Sequence, residues 1–528
     1  MTSSAPFKLT YATMFNPPEE MHTRFDQAVD DTLGSLGKEY GMIIDGKERF
    51  SKDKFEKRSP ADSDMILGIF QKGTAQDARD AIAAARKAFP IWSRMHYQDR
   101  VRLIRKAADL IDERIFKISS VITLEVGKIR TESMGDTAES ADLIRFPCSQ
   151  MEENNGFVVK MNKDPLVGYD AVNYSVLKPY GVWLVISPFN FPGALTSGPV
   201  GNTLIAGNTV VIKPSSDTPW TVRLIAECLR DAGLPDGVFN FVTGPGSTLG
   251  QTLIDSQDVD GITFTGSYDV GMKIYRDFSR SKWVRPVILE LGGKNPAIVS
   301  RNADLDTAAT GIFRSAFGLQ GQKCSACSRI FVEAPIYDQL VERLVDLTGK
   351  IKIGDPTRRE VFLGPVINHK SFEEFQGYCE ELDQDGRFLT GGRICSHDEF
   401  SRGYYCEPTI VADLPLNHRL WKHEMFLPIT TITKVENLTA AMTLANDVAY
   451  GLTGGFYGTE DEGSWFLENI QSGVAYVNRP QGATTGAWPG YQPFGGWKAS
   501  GAIGKSAGGP YYLQYYMHEQ SQTVIRKG

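Results

Sequence analysis

The sequence has no apolar run near the roughly 20 residues that a membrane-crossing helix requires. Its start, Met1-Thr2-Ser3-Ser4-Ala5-Pro6, lacks the charged segment and apolar block of an export signal. Basic residues are not in excess: 56 Lys and Arg stand against 63 Asp and Glu, a net charge of −7. Without a basic cluster there is no face for a phosphate backbone, which argues against nucleic acid as a partner. Cysteine is scarce, with seven residues scattered along the chain. An odd, dispersed set fits a reducing compartment, so the expectation is a cytoplasmic protein with no membrane contact. Cys324 and Cys327 spell C-x-x-C, which leaves open a redox pair or half a zinc site. No second such pair completes a zinc set, and no metal is expected.

What is present is an ordinary globular composition, 41% hydrophobic and 23% charged. A chain of 528 residues exceeds one core and predicts roughly two to four domains. A polar N-terminal arm carries a helix around Phe25 to Leu36, followed by a strand closed by the Asp45-Gly46 turn. From Thr74 the period becomes helical, with Ala75, Ala78, Ala81, Ile82 and Ala85 on one face, and helices follow near 97–113 and 115–126. Short β-rich runs then alternate with helical patterns: 182–186, 209–212, 238–242, 262–264 and 287–289. One intervening helix spans 218–232, with Thr218 as its cap and Pro219 in its first turn. Such alternation predicts βαβ units in a parallel, doubly wound sheet, which binds ligands at the C-terminal edges of its strands. Two runs at 157–161 and 171–177 read as a hairpin interrupting that rhythm, and the C-terminal stretch 513–525 alternates in a way that suits pairing with it. After Glu290 a second α/β domain begins.

The chemistry centres on Gly318-Leu319-Gln320-Gly321-Gln322-Lys323-Cys324-Ser325-Ala326-Cys327. A glycine-broken segment leads into the apolar run 330–332, which places Cys324 on a turn at a strand edge. Lys323 beside it would favour the nucleophilic thiolate. A cysteine of unknown context is more often a small buried apolar residue, and Cys327 keeps that reading. Partners decide for Cys324, and they stand at strand ends. Ser187-Pro188-Phe189-Asn190-Phe191-Pro192 follows one strand and Lys213-Pro214-Ser215-Ser216 the next. Phe264-Thr265-Gly266-Ser267 opens a helix whose free N–H groups suit phosphate. Glu290-Leu291-Gly292-Gly293-Lys294-Asn295 brings a carboxylate to the same edge. The glycines Gly244, Gly246 and Gly250 are spaced G-x-G-x-x-x-G, which by itself is a weak signal.

Taken with Glu424-Met425-Phe426 and Pro493-Phe494-Gly495-Gly496, these motifs resemble, in order, those of the aldehyde dehydrogenase superfamily from about residue 40 onward. The resemblance implies an α/β protein with a Rossmann-like NAD(P)-binding domain (1–153 and 178–289), an α/β catalytic domain (290–490), and an oligomerisation hairpin with the C-terminal tail (154–177 and 500–528). It implies a homodimer or dimer-based homo-oligomer. It assigns Cys324 as nucleophile, Glu290 as general base and Asn190 as oxyanion donor. Ser187, Pro188, Phe189, Lys213, Ser216, Gly246, Gly250, Phe264, Gly266, Ser267, Leu291, Glu424 and Phe426 fall to NAD or NADP. Ser216 replaces a glutamate that repels a 2′-phosphate in many NAD-preferring relatives, so NADP tolerance is expected.

The run around Cys324 is most similar to the 1-pyrroline-5-carboxylate dehydrogenase branch, which oxidises glutamate γ-semialdehyde. That resemblance implies substrate contacts at Ser325, Gly486 and Ala487 for the α-carboxylate, at Phe191 and Phe494 for the stem, and at Glu139, for which a solvated helix glutamate is the plain alternative. Two positions depart from the branch: Trp488-Pro489 after the anchoring loop, and Leu427 in place of a glycine. They keep other semialdehydes and simple aldehydes in view. A CoA-acylating dehydrogenase, disfavoured by Glu290, and a non-enzymatic binding protein are the remaining alternatives.

Overall fold

The computed structural model describes residues 17–165, 168, 170–482 and 488–526. Two seven-stranded sheets organise it. The first runs in the order Val287–Glu290, Gly261–Thr265, Val182–Ile186, Thr209–Lys213, Phe239–Phe241, Met42–Ile44, Lys47–Arg49. Its first five strands are parallel, and the last two form an antiparallel hairpin edge turning at Asp45-Gly46. Alternate residues supply cores on both faces: Trp183, Val185, Val210 and Ile212 on one, Val182, Leu184 and Val211 on the other. Burial on both sides is why these strands read as unbroken apolar runs. Strand order reverses between Val182–Ile186 and Gly261–Thr265, which is where a doubly wound sheet opens a crevice.

The second sheet runs Arg387–Thr390, Thr409–Ala412, Ile429–Val435, Cys327–Glu333, Asn295–Val299, Thr453–Tyr457, Val474–Val477. Only its first pair is antiparallel. Strand Val287–Glu290 passes into Asn295–Val299 through four residues, so the C-terminal edge of the first sheet adjoins the second. The interrupting hairpin spans Val158–Lys160 and Asp170–Pro179, and the C-terminal strand Met517–Arg526 pairs antiparallel with the latter, as its alternation anticipated.

Three local features differ from the sequence reading. A small sheet of Lys38–Tyr40, Ile66–Gln71 and Lys54–Arg58 went unread, because its short strands lack a clear period. So did the full extent of the helix Arg130–Glu153, whose buried residues lie on several faces and blur the amphipathic stripe. Thr218 stands at the N-cap position of the helix Pro219–Asp231, but its side chain makes no capping bond. The buried Glu125 caps instead, accepting hydrogen bonds from Trp220 N at 2.8 Å and Thr221 N at 2.9 Å. A carboxylate from a distant helix is invisible to a local capping rule.

Candidate active site

Glu290 ends a first-sheet strand, and Cys324 lies three residues before the second-sheet strand Cys327–Glu333. The loop holding the cysteine is tightly fixed. Leu319 and Gln320 take left-handed backbone angles, φ 51° and 54°, a conformation that costs a non-glycine residue roughly 1–2 kcal/mol. Asn295 closes the loop from behind: its Nδ2 donates to Cys324 O at 2.7 Å and Ala326 O at 2.9 Å, while its Oδ1 accepts from Thr453 N at 3.0 Å. A Cβ at Gly293 would come within 2.4 Å of Cys324 O, so only glycine lets these backbones approach. The Gln322 side chain accepts from Ile367 N at 3.0 Å. The role of Asn295 as a clamp was not legible in sequence; its place in the Glu-Leu-Gly-Gly-Lys-Asn run was the only signal.

A narrow cavity of about 50 Å³ brings together Cys324, Glu290, Ser325, Phe191, Phe494, Leu291 and Glu139. A larger one, about 450 Å³, shares Phe191 and Glu139 with it and opens past Arg130, Lys323, Arg359 and Trp488. Trp488 therefore lines the outer chamber, and Leu427 is buried in the core of the second sheet. Gly486 and Ala487 lie outside the described residues. Asn190 is buried, and its Nδ2 donates to Gln322 O at 3.0 Å. One amide hydrogen thus holds the Cys324 loop and the second remains for another acceptor.

At the sheet switch, Ser187 is buried and receives a hydrogen bond from Thr196 Oγ1 at 2.8 Å. The rings of Phe189 and Phe426 meet edge to face at 5.9 Å, Phe426 being held at φ 58°; Pro188 lies between Ser187 and Phe189, partly exposed. Lys213 is buried with Nζ on Pro214 O at 3.1 Å, and a Cβ at Gly250 would touch its Cε at 3.4 Å. Gly246 to Gly250 form one wide helical turn. Phe264 is buried, Gly266 N donates to Glu290 O, and Ser267 opens the helix Tyr268–Phe278 without capping it through its side chain. Ser216 is exposed. Glu424 accepts from Gly293 N at 2.7 Å, and Gly292 leaves the space that a Cβ would take from its carboxyl.

The sequence profile of the aldehyde dehydrogenase family matches residues 48–522. This chain belongs to that family. A 1-pyrroline-5-carboxylate dehydrogenase of Halalkalibacterium halodurans is 38% identical over 509 residues, covering 95% of each chain. One from a Geobacillus strain is 36% identical over 525 residues, covering 98% of this chain and 99% of its own. The solved 1-pyrroline-5-carboxylate dehydrogenase from Thermus with bound NAD superposes with a TM-score of 0.92 at 31% identity, over 99% of this chain and 100% of that one.

The electrostatics of this aldehyde dehydrogenase correct one expectation from the sequence. Lys323 couples to Cys324, but its attraction does not bring the thiol below its ordinary value. Its ammonium turns toward Glu132: a Cβ at Gly318 would lie 2.7 Å from Lys323 Nζ and 3.1 Å from Glu132 Oε1. Burial, with Glu424 and Glu290 adding negative charge, pushes the Cys324 thiol up to about 12. Glu290 keeps some accessible surface along the cavity wall, but the packing around its carboxyl strips its hydration and raises its pKa to about 8. Burial likewise raises Glu424 to about 7. Cys327 is a packed core thiol, buried with Sγ near Arg329 O. Among the described residues no group of His, Cys, Asp and Glu is arranged to hold a metal, and no helix is long and apolar enough to cross a membrane.

Proposed function

We propose that this enzyme oxidises L-glutamate γ-semialdehyde, the open form of 1-pyrroline-5-carboxylate, to L-glutamate through a thioester on Cys324. The observation that carries this reading is the single cavity shared by Cys324, Glu290, Ser325, Phe191, Phe494 and Glu139. Cys324 releases its thiol proton to solvent water as Sγ bonds to the aldehyde carbon, and the carbonyl oxygen becomes an oxyanion beside the free hydrogen of the Asn190 amide. The residues at the sheet switch suit a dinucleotide: Lys213 and Ser216 toward the adenosine ribose, Ser267 and its helix end toward the pyrophosphate, and Glu424 with Phe426 toward the nicotinamide ribose. Bound there, the nicotinamide supplies a positive charge and accepts a hydride. The acyl group remaining on Sγ is a thioester. Glu290 takes a proton from water as the water oxygen bonds to the acyl carbon; the C–S bond breaks, Glu290 returns that proton to the departing sulfur, and the carboxylic acid leaves with the thiol restored.

The curated relatives support the choice of aldehyde, and so do the residues. Phe191 and Phe494 form apolar walls for an aliphatic stem, and Ser325 sits within the same cavity at a position suited to an α-carboxylate. We assign residues 1–153 and 178–289 to cofactor binding, 290–490 to catalysis, and 154–177 with 500–528 to a dimer contact in the cytoplasm. The test is a substrate panel. kcat/KM for 1-pyrroline-5-carboxylate is expected to exceed that for propanal, hexanal and succinic semialdehyde by at least about tenfold, the scale of one or two well-placed contacts. Equal values overturn the assignment.

Position 216 is exposed and carries no charge of its own to repel a 2′-phosphate, so NADP serves beside NAD. In the same panel NADP should lie within about a hundredfold of NAD in kcat/KM, the range of one missing charge contact. A preference of several thousandfold for NAD refutes this.

A further inference from the structure

A buried ion pair stands directly behind one wall of the cavity of Cys324 and Glu290. The side chains of Lys128 and Asp136 are both fully buried, and Lys128 Nζ donates to Asp136 Oδ2 at 2.9 Å. The same ammonium lies over the face of the Phe191 ring, 3.5 Å from its centroid. Asp136 is tied down a second time: its Oδ1 accepts from Ala194 N at 2.8 Å, at the first residue of the helix Ala194–Ala206. The helix Arg130–Glu153, which carries Asp136, comes this close because residue 193 is glycine. A Cβ there would lie 2.6 Å from Ser140 Oγ and 3.1 Å from Asp136 Oδ1. Phe191 lies two residues before that glycine, and its carbonyl accepts from Leu195 N at 3.0 Å. Ring, cation and helix start are therefore one assembly. Phe191 borders both the narrow cavity and the outer chamber, whereas Lys128 borders neither, so the ammonium acts on the wall and not on what the cavity holds.

A buried ion pair is often no more stabilising than apolar residues of the same volume, since both charges lose their hydration. Its place calls for another reason, and the ring supplies one. A phenyl ring pivots about its last side-chain bond over a broad range. A cation over its face is attracted to the negative π cloud, most strongly where both are shielded from water. Resting on the reading that Phe191 walls the aldehyde cavity, we infer that Lys128 is a specificity-determining positioning residue: clamped by Asp136, its ammonium fixes the Phe191 ring at the angle that packs along the substrate stem. The site then favours aldehydes long enough to lie against that ring over those that end short of it.

The test is the ratio of kcat/KM for 1-pyrroline-5-carboxylate to that for acetaldehyde, whose single methyl offers the ring no stem. It is measured for wild type, Lys128→Met, Phe191→Leu and the variant carrying both. Lys128→Met is expected to lower the ratio by about tenfold, the scale of one lost contact in an apolar pocket, through a raised KM for the long substrate, with acetaldehyde turnover within about twofold of wild type. Phe191→Leu lowers the ratio too, and adding Lys128→Met to it changes the ratio no further, because residues that act through one contact do not add. An unchanged ratio in Lys128→Met, an equal loss with both aldehydes, or additive losses in the combined variant overturns the inference. Lys128→Met leaves Asp136 buried without its cation. Should that chain not fold, Lys128→Met/Asp136→Asn, in which the asparagine oxygen still accepts from Ala194 N, is read by the same ratios. A wild-type ratio in Phe191→Leu removes Phe191 as a wall, and with it this role for Lys128. If wild type prefers another long aldehyde to 1-pyrroline-5-carboxylate, the proposed substrate fails, and that aldehyde takes its place in the ratio that decides on Lys128.

Discussion

Cys324→Ala lowers aldehyde oxidation by on the order of 10⁴-fold or more, while nucleotide binding stays within about twofold of wild type. The size follows from removing the atom that forms the covalent bond, since loss of a nucleophile that acts with its partners as one unit typically costs nearly the whole chemical acceleration. Preserved binding follows from the geometry. The loop is held by Asn295 through two backbone carbonyls, by the Gln322 side chain and by Asn190, none of which touches Sγ. Alanine fits the same turn, and the residues at the sheet switch lie on other strands. Initial rates paired with equilibrium nucleotide titration check both halves. A variant with more than about a tenth of wild-type activity removes Cys324 as nucleophile.

Glu290→Gln separates the two halves of the reaction. Thioester formation does not need the carboxylate as a base for water, so one equivalent of reduced nucleotide per site appears in a burst. Hydrolysis then slows by roughly 10²–10⁴-fold, the usual contribution of a positioned general base. The sign of the pH dependence follows from the raised pKa. As the proposed base, Glu290 would act when ionised, and burial raises its pKa to about 8, so wild-type hydrolysis is expected to rise with pH through that region and to be lost below it. Glutamine does not titrate, so the variant's residual hydrolysis lacks that limb. Stopped-flow absorbance of the reduced nucleotide gives burst amplitude and steady rate together. A variant with undiminished steady turnover assigns the base elsewhere.

How much of this was legible in the sequence depends on whether a feature is local or assembled. Strands Val182–Ile186 and Thr209–Lys213 announced themselves because burial on both faces makes each a continuous apolar run. Cys324 and Glu290 were legible because each ends or precedes a strand within a recognisable motif. The Asn295 clamp and the Glu125 cap were not, since each joins residues far apart in sequence whose meeting depends on packing. The weight of Lys323 was misjudged for the same reason. Adjacency in sequence suggested a cation for the thiol; the lysine does couple to it, but also to Glu132 on the long helix, and burial with the nearby carboxyls outweighs its attraction.

The measurement that bears most directly on a thioester at Cys324 is the mass of Glu290→Gln quenched after its burst with 1-pyrroline-5-carboxylate and nucleotide, followed by peptide mapping. The expected result is one acyl adduct per chain, the mass of the substrate acyl group, on the peptide containing Cys324 and absent from Cys324→Ala. An adduct on another cysteine, or an unmodified chain that still produced its burst, contradicts the mechanism.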